Sequence, residues 1–134
     1  MSRLVNFGPG EIADRLTILT LKILYGKAAG KDVVHFSSER NALLGLLRSR
    51  ELGGSWFELV LELAAVNAAL WQAEDELRGL RKGGGTGTTT YETADYYKTA
   101  TTCAFRIQDL NDQRAQLVGM INKATGDHLG EEKL

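Results

Sequence analysis

"SWFELVLELAAVNAALWQAEDELRGLRK", residues 55–82, decides how the rest of the chain is read. Its apolar residues Trp56, Leu59, Leu63, Val66, Leu70 and Leu77 recur at intervals of three, four or seven. That spacing lines one side of an α-helix. Ser55 with Glu58 forms an S-x-x-E capping box at its start, and no proline interrupts it. A helix of this length spans about 42 Å at 1.5 Å per residue. An apolar stripe that long needs helical partners, and the flanking sequence supplies them.

Upstream, "FGPG" (7–10) places Pro9 before or in the first turn of a helix, where its missing N–H costs nothing. Ile12, Leu16, Leu19 and Ile23 then recur at four, three and four, Leu21 and Leu24 widen the face, and "GKAAGKD" (26–32) ends it near residue 28. A shorter helix is expected from about Ser37 to residue 50. Ser37 or Ser38 is its cap, Leu43, Leu44, Leu46 and Leu47 are its buried side, and "ELGG" breaks the chain at 51–54. Downstream lies "GGGTGTTT" (83–90). It lacks the G-K-[ST] ending of a phosphate-binding P-loop and follows a helix where that motif follows a strand, so it reads as a turn. Thr89 with Glu92 caps a fourth helix carrying Ala100, Ala104, Ile107, Leu110, Leu117 and Ile121, stopped by "TGDHLG". The β-branched "TATTC" (99–103) is its expected weak point, where it bends or frays.

No segment alternates with the period of a strand. The expected fold is all-α, an antiparallel four-helix bundle with a long helix 3–helix 4 hairpin, in one domain over 1–134 (helices about 10–28, 37–50, 55–82 and 90–125). The second pair of helices outreaches the first, so the hairpin should project and leave apolar surface for a second copy. A homodimer is expected.

Composition narrows the function classes. Hydrophobic residues make up 43% and charged residues 25%, and sixteen basic residues stand against seventeen acidic ones. There is no basic excess of the kind that nucleic-acid proteins carry. Cys103 is alone, which excludes an internal disulfide framework and fits a reducing compartment; it reads as a small core residue. "MSRLVNFGPGEIADRL" has no uninterrupted apolar run of the signal-peptide type, and no stretch approaches a membrane span. A soluble cytoplasmic protein is expected, with no membrane and no nucleic acid among its partners.

The chemistry sits on polar residues in three helical segments. In "VNAALWQAEDELRG" (66–79), Asn67, Trp71, Glu74 and Arg78 are spaced by four, three and four and stack along one side of the helix, with Asp75 beside Glu74. Glu11, Asp14 and Lys22 lie on the first helix, and Asn111 and Arg114 on the fourth. Polar groups bordering the apolar faces must satisfy one another if buried. As a structural network, Glu11, Asp14, Glu74 and Asp75 pair with Lys22, Arg78 and Arg114. As a functional site, the same four carboxylates are the metal candidates, for Mg²⁺, and the basic residues face a phosphate. Basic neighbours disfavour a bare cation, which weakens the metal reading. His35 and His128 lie at helix margins, so neither a Glu-x-x-His di-iron pattern nor a Ser/His/Asp constellation can be built.

Two resemblances bear on these residues. The all-α nucleotide pyrophosphohydrolases hold Mg²⁺ with pairs spaced as Glu11–Asp14 and Glu92–Asp95 are here, though that spacing is common. "PGEIADRLTILTLK" (9–22), "VNAALWQAEDELR" (66–78) and "LNDQRAQLVGMIN" (110–122) with "GEEK" (130–133) resemble, as a set, a group of bacterial helical proteins without an assigned activity. Some members of that group are encoded near glycosyltransferase genes. The resemblance covers about half the chain and singles out Glu11, Asp14, Lys22, Asn67, Trp71, Glu74, Asp75, Arg78, Asn111, Arg114 and Glu131.

Two functions are carried forward. The first is a binding or accessory module with an inter-helix polar network, acting on a protein partner or a small ligand. The alternative is a Mg²⁺-dependent enzyme acting on a nucleotide, nucleotide-sugar or other phosphorylated small molecule. Periodicity does not encode the order of helices around a bundle, so whether the three segments converge is decided by the tertiary structure.

Overall fold

A computed structural model describes residues 8–48, 50, 52, 56–83 and 90–125, and the side chains of these except 81–83 and 90–93. Four helices follow in order: α1 (Pro9–Ala28), α2 (Val34–Arg48), α3 (Trp56–Gly83) and α4 (Thr90–Ala124). There is no strand among the described residues. The expected bundle is the observed one, with α3 and α4 forming the most extensive interface. No helix among the described residues is long and apolar enough to cross a membrane.

Helix α1 shows how local chemistry sets the ends. Gly8 is the N-cap in an extended conformation and Pro9 occupies the first helical position. At the other end, the Lys31 amide donates to the Gly26 carbonyl (2.8 Å) and the Gly30 amide to that of Lys27 (3.0 Å). Gly30 takes a φ of 75°. This is a Schellman closure, which needs a left-handed residue at that position and so favours glycine.

Helix α2 departs from expectation at its start. It begins at Val34, three residues before Ser37, because Asp32 Oδ1 accepts a hydrogen bond from the Val34 amide (3.0 Å). An aspartate thus does the work assigned to Ser37 or Ser38, and both serines lie inside the helix. Helix α4 also corrects the sequence reading, since it runs unbroken through 99–103. The Thr102 hydroxyl donates to the Lys98 carbonyl (3.0 Å), and the buried Cys103 thiol donates to the Ala73 carbonyl of α3 (3.1 Å). Thr102 and Cys103 thus bond backbone carbonyls without breaking the helix. Ser55, Thr89 and most of the Gly-rich segment expected to form a turn, 84–89, lie outside the described residues, and with them both capping boxes.

The helices alternate in direction. α1 and α3 run the same way, since Asp14 meets Asn67 and Tyr25 meets Trp71; α4 runs against both, since Asp14 meets Arg114 while the earlier Gly10 meets the later Asn122. α1 touches all three other helices, and α2 packs chiefly on α1. One face of α1 (Ile12, Leu19) meets Leu43 and Leu47 of α2; the other, at Ala13, meets Leu59 and Leu63 of α3 and Ile121 of α4. Fully buried leucines and isoleucines contribute about 2 kcal/mol each, so α1 carries two cores at once. Its approach to α4 is close: a Cβ on Gly10 would lie 2.2 Å from the Val118 carbonyl oxygen.

Candidate functional site

Where α1 lies between α3 and α4, a polar knot interrupts the apolar packing. Asp14 Oδ1 accepts from Asn67 Nδ2 (2.9 Å) and Arg114 Nε (2.9 Å), and its Oδ2 from Arg114 Nη2 (2.7 Å). The second Asn67 Nδ2 hydrogen goes to Thr17 Oγ1 (2.7 Å), and the Thr17 hydroxyl donates to the Asp14 carbonyl (2.8 Å). Every amide hydrogen of Asn67 and both carboxylate oxygens of Asp14 are engaged, which is the condition for a buried polar network to stabilise its surroundings. The side chains of Asp14 and Arg114 are 15% and 35% exposed, and Asn67 is buried. The hydrogen bonds it donates to Asp14 hold the Arg114 guanidinium above its ordinary pKa; desolvation opposes this, and the charges of Asp14 and Glu74 reinforce it.

A second polar contact closes the same interface one turn earlier on α1. Asn122 of α4 accepts from the Gly10 amide through Oδ1 (2.7 Å) and donates through Nδ2 to Glu11 Oε1 (3.0 Å). One of the amides that every helix start leaves without an internal partner is thereby satisfied from another helix. Between α1 and α2, Arg15 Nε and Nη2 grip Glu39 at 2.8 and 3.0 Å.

The structure therefore brings three of the ten site candidates, Asp14, Asn67 and Arg114, into direct contact. Asn111 lies on the rim of a shallow recess that Asp14 and Arg114 also line. Glu74 acts on Arg114 through its charge. The remaining candidates are elsewhere. Glu11 is held by Asn122, and Asp75 pairs with Arg78 within α3 (3.2 Å) on an exposed face. Trp71 stacks on Tyr25 with centroids 5.2 Å apart, and Lys22 Nζ stands 5.4 Å from the centre of the Phe36 ring.

The column on α3 thus serves four different environments, because neighbouring helices cover only part of its length. Glu11, Asp14, Glu74 and Asp75 do not gather at one point. Among the described residues no group of three or more His, Cys, Asp and Glu side chains comes together to hold a metal ion. Glu131 lies outside the described residues.

Thr17, Arg15 and Asn122 were not among the sequence candidates. Asn122 closes the quoted segment 110–122, eight residues after Arg114, so helical phase could have found it. Thr17 reads as one more residue of "LTILT", and nothing in its type marks it as an acceptor for Asn67.

Comparison with family models, with curated proteins and with solved structures finds no match.

Proposed function

We propose that the protein is a cytoplasmic binding or accessory module, acting as a homodimer, in which Asp14, Asn67 and Arg114 lock three helices in register. The observation that supports this reading is the occupancy of Asp14. Both of its oxygens are taken up by Arg114 and Asn67. A carboxylate so engaged is poorly placed to bind a cation or accept a proton from a substrate.

Support for self-association comes from the hairpin. The contacts α1 makes with α4 through Asp14, Gly10 and Glu11 all fall on α4 residues 114–122. Towards the other end of α4, Tyr97 and Phe105 are 62% and 67% exposed. Two copies related by a two-fold axis would bring this surface onto itself. Light scattering at tens of micromolar is expected to return twice the monomer mass, and a monomer mass sinks the dimer.

The module and enzyme readings part on Mg²⁺. As a structural knot, Asp14→Asn lowers the melting temperature whether or not Mg²⁺ is present, and Mg²⁺ adds no further shift to that given by a nucleotide or sugar phosphate alone. An enzyme site would raise the wild-type melting temperature by several degrees under those conditions, through linkage, and Asp14→Asn would abolish the rise. That second pattern would overturn the module.

A further inference from the structure

Beyond the polar knot, where α1 ends and α2 begins, a cleft of about 290 Å³ opens between α1, α2 and α3. Lys22, Tyr25, Lys31, Asp32, Phe36 and Trp71 form its walls. Trp71 is one helical turn past Asn67, and Lys22 is about two turns past Asp14. The cleft is therefore separate from the network while lying on the same two helices.

Its walls are flat and aromatic. Tyr25 and Trp71 stack with an interplanar angle of 19°, and Phe36 of α2 lines the same cleft with the Lys22 ammonium 5.4 Å from its ring centre. Gly26 and Val33 also line it and are closely packed, since a Cβ on Gly26 would come within 2.6 Å of Val33 Cγ1. Its charge is positive on balance. Asp32 is the one acid among the lining residues, and its Oδ1 is turned to the Val34 amide at the positive end of α2. Glu39 feels the charge of Lys22, but both its oxygens are held by Arg15. Among the described residues no carboxylate forms an ion pair with Lys22 or Lys31. At the end of α1 the Tyr25, Gly26 and Lys27 carbonyls are bonded to the amides of Ala29, Gly30 and Lys31.

We infer that this cleft binds a small planar anion, a single flat ring bearing a phosphate or carboxylate. The ring lies against the aromatic wall, and the anion meets Lys22 and Lys31. The volume is at the lower end of small-molecule sites, about 300–1,000 Å³, which limits the ligand to one ring. The inference rests on the binding-module reading and gives its ligand a chemistry.

The two tryptophans permit a direct test, because Trp56 lines a different, apolar groove with Leu16 and Val60. Phenyl phosphate is titrated into the full chain while the two indole N–H resonances are followed by NMR, assigned through Trp71→Phe. The expected result is a saturable shift of the Trp71 signal at millimolar ligand with Trp56 unmoved. Inorganic phosphate and phenol should each bind about ten-fold more weakly, since each offers half of the recognition. Lys22→Met should weaken phenyl phosphate about ten-fold with the melting temperature kept, and Lys22→Arg should restore most of the affinity. The inference is overturned by a Trp71 signal that does not move, by a shift at Trp56 instead, by unchanged binding in Lys22→Met, or by phosphate alone binding as well as phenyl phosphate. Neither the mass measurement nor the Mg²⁺ experiment shares a readout with this titration. A silent Trp71 in a dimeric, network-dependent protein removes the cleft and leaves the module standing.

Discussion

Asp14 and Arg15 are neighbours on α1, and each side chain belongs to an arginine–carboxylate pair of similar geometry. Arg114 meets Asp14 at 2.7 Å, and Arg15 meets Glu39 at 2.8 Å. Their surroundings differ. Asp14 is 15% exposed, sits where three helices meet and is braced by Asn67, whereas Arg15 and Glu39 are 41% and 38% exposed and join only α1 to α2. The pair in water exchanges one set of good partners for another and gains little. The shielded pair gains little by forming too, but losing one member strands the other in a site where water cannot fully replace it. Similar distances therefore predict different consequences.

The largest effect is expected at the knot. Arg114→Met should cost about 2–3 kcal/mol, below the 3–5 of a fully buried pair because Arg114 keeps part of its side chain in water. At this chain length that is a fall of roughly 10 °C in melting temperature by calorimetry. Combining it with Asp14→Leu should recover part of the loss, since no unpaired charge then remains; a double variant as unstable as the sum of the singles would refute the coupling.

Asn67→Leu tests whether the bracing amide matters apart from the charges. It removes two donors from Asp14 and Thr17 at once, and a loss of about 1–2 kcal/mol in urea unfolding is expected. A stabilised variant would mean that the amide serves register alone.

The smallest effect belongs to the exposed pair, and it depends on pH. Hydrogen bonds from Arg15 hold Glu39 below the ordinary glutamate pKa, against a desolvation that pushes it up. A carboxylate lowered on folding stabilises at pH above its unfolded value, about 4.3, and loses that contribution as pH falls through its lower folded value. The melting-temperature gap between wild type and Glu39→Gln should therefore be a degree or two near neutrality, about 0.5 kcal/mol, and close toward about pH 3. A gap that widens with acid would show that Arg15 holds Glu39 by something other than its charge.

Much of this contrast was legible in part. The residue types Asp14, Asn67 and Arg114 stand out because polar side chains at the border of apolar stripes must be solvated or paired. What separates them from Asp75 and Arg78, which carry the same charges, is coverage by a neighbouring helix. The Arg15–Glu39 pair was invisible for a related reason, since it depends on where α2 lies against α1.

Helix number, extent and the long hairpin follow from the sequence by itself, because apolar spacing, Pro9 and the glycines at 26 and 30 act within a few residues of where they sit. The start of α2 escaped this local reading only because Asp32 competes with Ser37 and Ser38 for the same role, and the geometry of one turn settles the choice. Which polar residues meet was decided by tertiary structure alone. Asp14 and Arg114 are separated by 100 residues, and with Asn67 they require three helices to be placed at once. The close approach of α1 to α4 over Gly10 makes that placement, and no repeat or spacing along the chain records it.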